Sequence, residues 1–256
     1  MTKSRLLKPS RRQLLSHAGL LSAIALPWPV LAQTSSGEAL SSPDPKSTQG
    51  SQPTQGSQPT QPLDFTAYRN GSRLGFHRID FAEEGKRLIV DIEIVFDVKF
   101  TFIPLYGYRH RNREVWEDGR LMSMSTETDD NGTDYKVEVT RDGDRLLVDG
   151  VDGRLELPGD TLTTSYWNEA AMANSAWLDT QRGQLVRSEV IKKPAEAVRV
   201  KGRDVEATPY DLAGDITCTF WYRDGRWVKL RFLGEDGSEI DYTLERFGQS
   251  GFGQNG

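Results

Sequence analysis

Between Leu88 and Phe102 every second residue is apolar: Leu88, Val90, Ile92, Ile94, Phe96, Val98, Phe100 and Phe102, with Arg87, Asp91, Glu93, Asp97 and Lys99 among the residues that alternate with them. A period of two sends successive side chains to opposite faces, and an extended strand with one buried and one solvated face satisfies it. Such one-sided burial is the habit of antiparallel sheets. The run far exceeds the usual strand of about 5–6 residues, so a sheet built on it must twist, bulge or curve over its own core.

The punctuation agrees. Asn-Gly or Asp-Gly stands at 70–71, 118–119, 131–132, 142–143, 152–153, 224–225 and 236–237, and these residues tolerate the positive φ of tight hairpin turns. Residues 63–247 are therefore predicted to form one all-β domain with one short helix. Its form is a strongly curved antiparallel meander, a half-barrel or open barrel, covered on its concave face by the helical insert. Two turns predict register. A three-residue loop Arg223-Asp224-Gly225 would set Phe220 against Val228, Cys218 against Leu230 and Ile216 against Phe232, whereas a two-residue loop would oppose Phe220 to Lys229. A three-residue loop at Glu117-Asp118-Gly119 would likewise set Glu114 against Met122 and Asn112 against Met124.

One stretch departs from the strand pattern, TSYWNEAAMANSAWL at 164–178. Tyr166, Ala170, Ala173 and Trp177 recur at helical spacing, Asn168 is a good N-cap, Glu169 suits the positive end of a helix, and Gly183 suits an exit turn. A helix over about Glu169–Leu178 is predicted. It is too short to stand alone in water, so it must dock, and the apolar face of the curved sheet is what needs covering. Tyr166 and Trp167 are expected to plug that concavity, either as fixed core or as a mobile lid over a ligand site.

At the N-terminus Lys3, Arg5, Lys8, Arg11 and Arg12 precede LLSAIAL and VLAQ, the pattern of a cleavable export signal over 1–32. Ser10-Arg11-Arg12-Gln13-Leu14-Leu15 fits the twin-arginine type. Residues 33–62, rich in Ser, Gln, Thr and Pro with TQGSQP repeated, read as a disordered tether, and 248–256 as a flexible tail. The expected location is periplasmic or otherwise secreted. Loss of those five cations leaves a chain more acidic than the net charge of −5, which disfavours nucleic acid and anionic lipid headgroups. The mature chain is not expected to span a membrane. A single cysteine, Cys218, excludes an internal disulfide, so burial must hold the fold.

Beyond Pro104, Tyr106, Tyr108, His110, Asn112, Glu114 and Trp116 share the inward face of a strand while Arg109, Arg111 and Arg113 share the other. His110 and Glu114 lie ~13 Å apart along it, too far for a dyad. Three readings stay open: buried polar groups satisfied by neighbours, ligand contacts, or acid–base groups completed by an acid from another strand. The candidate ligand-binding set is Tyr106, Tyr108, His110, Asn112, Glu114, Trp116, Tyr166, Trp167, Asn168 and Trp177; no catalytic residue, metal ligand or cofactor is assigned. With the signal removed only His77 and His110 remain, so spacing supports no zinc site with several His or Cys ligands. Glu127, Asp129, Asn131, Gly132 and Glu138 fall at calcium-loop positions, but Glu stands first and the flanks read as strands, which favours a plain hairpin turn on Asn131-Gly132.

In order along the chain, YGYRHRNREVWEDGRL (106–121), TDDNG (128–132), GRLELPG (153–159), SYWN (165–168), LDTQRGQ (178–184) and TFWYRDGRWVKL (219–230) resemble the bacterial exported family catalogued as domain of unknown function 6134. That family is similar to the wider 3108 group of exported β-domains. The resemblance spans Phe65 to Leu244 and implies an envelope location and a half-barrel sheet of the kind used by lipoprotein carriers, with no catalytic residue to carry over. The function this suggests is non-enzymatic binding of a lipid-like or other apolar small molecule, or of an envelope protein. Two alternatives stand beside it: an envelope glycan or lipid hydrolase or lyase with Glu114 or His110 as acid–base, and a structural protein that pairs through a sheet edge.

Overall fold

The computed structural model describes residues 61–100, 103–234 and 236–246. Residues 1–60, where an export signal and tether are expected, residues 101–102 and 235, and residues 247–256, which include the expected tail, lie outside the described residues, as does the side chain of Phe100.

The strands are β1 (Leu63–Arg69), β2 (Ser72–Glu84), β3 (Arg87–Phe100), β4 (Ile103–Glu117), β5 (Arg120–Asp130), β6 (Thr133–Asp142), β7 (Arg145–Gly150), β8 (Gly153–Pro158), β9 (Ala176–Leu178), β10 (Leu185–Lys192), β11 (Glu196–Val200), β12 (Arg203–Gly214), β13 (Cys218–Arg223), β14 (Arg226–Leu233) and β15 (Glu239–Arg246). They form one sheet in the order β8-β7-β6-β5-β4-β3-β2-β1-β15-β14-β13-β12-β10-β9, with β11 also on β12. All the strand pairs are antiparallel. Two meanders are thus joined where the first strand pairs with the last, and the β8–β9 connection runs between the two ends of the sheet order. No ladder closes the sheet among the described residues. Its ends nevertheless meet: Val151 N donates to Arg182 O at 2.9 Å. Glycine is required there, because a Cβ on Gly150 would lie 2.5 Å from Arg182 O and 2.9 Å from Gly183 Cα, while Gly183 itself sits at φ 75°.

The alternation read in β3 is the register of the core. Leu88, Val90, Ile92, Ile94 and Phe96 are buried, and Val98 packs partly buried against them. On the outer face Arg113 pairs with Asp91 at 2.9 Å, Arg111 with Glu93 at 3.5 Å and Arg109 with Asp97 at 3.6 Å. Exposed pairs of this kind contribute at most about 1 kcal/mol each. Their row makes the outer face charged, the reverse of the apolar band that a membrane barrel turns to lipid. No helix among the described residues is long and apolar enough to cross a membrane.

The structure corrects both predicted loops. Glu117 pairs with Arg120 around a two-residue turn with Asp118 and Gly119 at φ 50° and 73°, and a register shift at Val115/Trp116 then sets Glu114 opposite Met124 and Asn112 opposite Thr126. At the later hairpin Arg223 pairs with Arg226 around Asp224 and Gly225, at φ 50° and 77°, and a shift at Trp221/Tyr222 sets Phe220 opposite Leu230. In both, positive φ at two successive positions makes the two-residue turn that matches strand twist. The extra bulge residue then restores phase, so the apolar face stays inward without the longer loop. Phe220, Trp227, Val228 and Leu230 are all fully buried, and so, nearly, is Cys218. The Asn131-Gly132 turn forms as read, joining Asp130 to Thr133, with Glu127 paired to Lys136 at 2.8 Å.

The predicted helix over Glu169–Leu178 is also corrected. Only a 3-10 turn forms, Glu169–Ala173, and β9 begins at Ala176. Asn168 caps it as expected, its side chain accepting from Ala170 N at 2.9 Å. Asn174 then turns extended at φ −112°, and Trp177 takes a ladder position opposite Val186. Five residues cannot offset helix nucleation, whereas strand pairing satisfies the same backbone groups against β10.

Candidate functional site

The inward face of β4 meets the β8–β9 connection, and Glu114 is the joint. Its carboxyl is 0% exposed. Oε1 accepts from Asn112 Nδ2 at 3.0 Å, and Oε2 accepts from the indole N–H of Trp116 at 2.8 Å, the indole N–H of Trp167 at 3.1 Å and Ser165 Oγ at 3.4 Å. Both Asn112 and Trp116 are two residues along the same strand face, which the period of two dictates. Ser165 and Trp167 are brought by the connection. All four partners donate, so the carboxyl serves as an acceptor throughout.

Trp167 stands edge-on to Phe81 (centroids 5.7 Å apart) and to Trp116 (5.6 Å), geometries favoured by ring quadrupoles. Tyr166 packs 4.7 Å from Phe220 and 5.7 Å from Trp177, and Trp177 donates its indole N–H to Ala171 O at 3.0 Å. Tyr166 holds φ 51°, a region that bulky residues rarely adopt. Its carbonyl accepts from Tyr222 OH at 2.7 Å, which fixes that conformation. Of the candidate residues, Tyr106, Tyr108, His110, Asn112, Glu114, Trp116, Tyr166, Trp167 and Trp177 are buried while Asn168 is half-buried. Tyr106 lies apart from the joint, donating to Asp130 Oδ1 at 2.7 Å.

Beside the joint lies a chamber of about 20 Å³, walled by His77, Ile92, Ile94, Tyr108, His110, Asn112 and Tyr242 from the sheet, by Thr164 and Ser165 from the β8–β9 connection, and by Asp179, Thr180 and Gln181 from the β9–β10 turn. Tyr108 OH donates to Gln181 Oε1 at 3.2 Å, and His110 Nδ1 bonds Thr128 Oγ1 at 2.8 Å. Burial pushes His77 down to about 3, with the second histidine adding to the effect, and burial pushes His110 down to about 4. Both rings are neutral at pH 7. Burial drives the Tyr108 and Tyr242 hydroxyls well above their ordinary range, and does the same to the Cys218 thiol, so none is a nucleophile. No three His, Cys, Asp or Glu side chains converge to hold a metal among the described residues.

The sequence names the β4 residues of this site together with Tyr166, Trp167, Asn168 and Trp177. His77 stands there only as a spare histidine, Thr164 only in the aromatic stretch, Ser165, Asp179, Thr180 and Gln181 only within the SYWN and LDTQRGQ motifs, and Tyr242 not at all. Tyr242 falls in an alternating strand and was legible as inward. Asp179–Gln181 follow no period, and only the long-range packing of a loop brings them in.

No curated protein matches the chain. Among solved structures it is similar to one described as a beta-barrel-like protein of domain of unknown function DUF1849 from Brucella abortus, with a TM-score of 0.50 and 12% identity, over 72% of this chain and 96% of that one. At that identity the likeness concerns the fold alone. The match to the family described as Domain of unknown function (DUF6134) runs over residues 65–245, from β1 into β15, and the chain belongs to that family.

Proposed function

We propose that this chain is a non-enzymatic exported domain of the bacterial envelope, in which the β8–β9 connection is a fixed plug of the sheet's concave face and binding of an envelope partner falls to the outer surface. The observation that carries this reading is Trp167, 2% exposed, wedged between Phe81 and Trp116 and hydrogen-bonded to a fully buried Glu114. A general acid or base must reach its substrate, whereas both Glu114 oxygens are taken by neighbours. A chamber of about 20 Å³ takes a water molecule, not an acyl chain. The envelope location rests on the twin-arginine pattern of residues 10–15.

One observation favours a lid instead. Tyr166 at φ 51° stores backbone strain that departure of the connection would release. Native mass spectrometry of the protein purified from its own cells separates the readings: a plug gives the bare mass of the processed chain, and a stoichiometric lipid adduct would overturn it. Photo-crosslinkers at the exposed apolar positions Leu147, Ile191 and Leu233 test the outer surface. Specific adducts are expected from at least one position, and adducts only from inward positions would contradict the proposal.

A further inference from the structure

The lining of the chamber beside Glu114 has a definite donor and acceptor pattern. Gln181 has its amide oriented by Tyr108, which donates to Oε1, so the donor Nε2 is left without a hydrogen bond in the protein. Asn112 has its amide oriented the opposite way by Glu114, which accepts from Nδ2, so the acceptor Oδ1 is left over. His77, 1% exposed, makes no hydrogen bond at either ring nitrogen, and neither does the Tyr242 hydroxyl. The β9–β10 turn therefore presents a spare donor beside the Asp179 carboxylate, and the sheet presents a spare acceptor with two groups of adaptable role. Buried polar groups of native proteins are nearly always paired, and a polar pocket of at least ~10–15 Å³ with 2–4 partners is what an internal water requires.

We infer that this chamber, of about 20 Å³, is a hydration site that holds one ordered water molecule as a bridge between Gln181 of the β9–β10 turn and strands β2, β4 and β15. The water accepts from Gln181 Nε2 and donates to Asn112 Oδ1, and His77 or Tyr242 completes its shell according to tautomer and rotor. An apolar guest would leave every one of these groups unpaired. The bridge links the β9–β10 turn to the sheet, beside the Trp167–Glu114 bond made by the β8–β9 connection, and it stands whether the outer surface binds a partner or not.

A high-resolution crystal structure of the processed chain, with a second crystal under xenon pressure, tests this. The expected result is a single solvent peak about 2.7–3.2 Å from Gln181 Nε2 and from at least one of Asn112 Oδ1, His77 or Tyr242 OH, with no xenon in the chamber. Gln181→Leu should lose that peak while Trp167 keeps its bond to Glu114; should that variant not fold, Tyr242→Phe should retain the peak with one partner fewer. An empty chamber, xenon bound within it, or a direct His77–Gln181 hydrogen bond that closes it would overturn the inference.

Discussion

Removing the Glu114 carboxyl is the sharpest perturbation the structure offers. In Glu114→Ala three good donors, Asn112 Nδ2, Trp116 Nε1 and Trp167 Nε1, lose their acceptor at a site with 0% exposure. Each stranded buried donor costs about 1–3 kcal/mol. Water entering the space left behind would satisfy some of them, so the lower part of that range, about 3–5 kcal/mol, is expected. For a domain of this size that is a fall in Tm of roughly 6–20 °C. Glu114→Gln isolates the cause. Its amide oxygen can keep both indole bonds, and its NH₂ faces Asn112, which can turn over because Asn112 Oδ1 has no other partner in the protein; the expected loss is only about 1 kcal/mol. Urea unfolding at pH 7, followed by tryptophan fluorescence, reads both. A Glu114→Ala loss below about 1 kcal/mol, or Gln as harmful as Ala, would show that the joint does not hold the connection in place.

Trp167→Ala should cost about 3–5 kcal/mol as a deleted core aromatic, and calorimetry showing an unchanged Tm would remove Trp167 from the core. Stability should also fall with acid. Because His77 and His110 sit at about 3 and about 4 rather than the ordinary 6.5, the unfolded chain binds more protons than the folded one below 6.5. Their contribution is therefore fully present above that pH and is lost toward pH 4. Between pH 7 and 5 the pair should cost about 3–4 kcal/mol in urea titrations, and a flat profile over that window would contradict their burial as neutral rings. Gly150→Ala, whose methyl would meet Arg182 O and Gly183 Cα, should break the Val151–Arg182 contact and lower Tm by several degrees; an unchanged Tm would mean that the sheet ends do not meet there.

What the sequence made legible follows from period. The β3 alternation named the core face, and the same rule placed His110, Asn112, Glu114 and Trp116 inward before any partner was known. The Asn-Gly and Asp-Gly pairs placed the turns but not their registers, because a one-residue bulge at Val115/Trp116 or Trp221/Tyr222 rewrites pairing without leaving a mark in the hydrophobic pattern. The helix was misread because Ala170, Ala173 and Trp177 keep helical spacing by coincidence, while tertiary pairing with β10 decides the outcome. Gln181 and His77 joined the site only through contacts between segments far apart in sequence.

Native-state hydrogen exchange distinguishes a fixed plug from a mobile β8–β9 connection. Thr164 N donates to Leu178 O at 2.9 Å and Leu178 N to Leu162 O at 2.8 Å, so these two amides report the connection while the β3–β4 ladder reports the core. A plug exchanges only when the domain unfolds: Thr164 and Leu178 should share the opening free energy of the β3 ladder and its dependence on urea. Opening several kcal/mol cheaper than the ladder, with little urea dependence, would mean that the connection lifts by itself and would contradict a fixed plug.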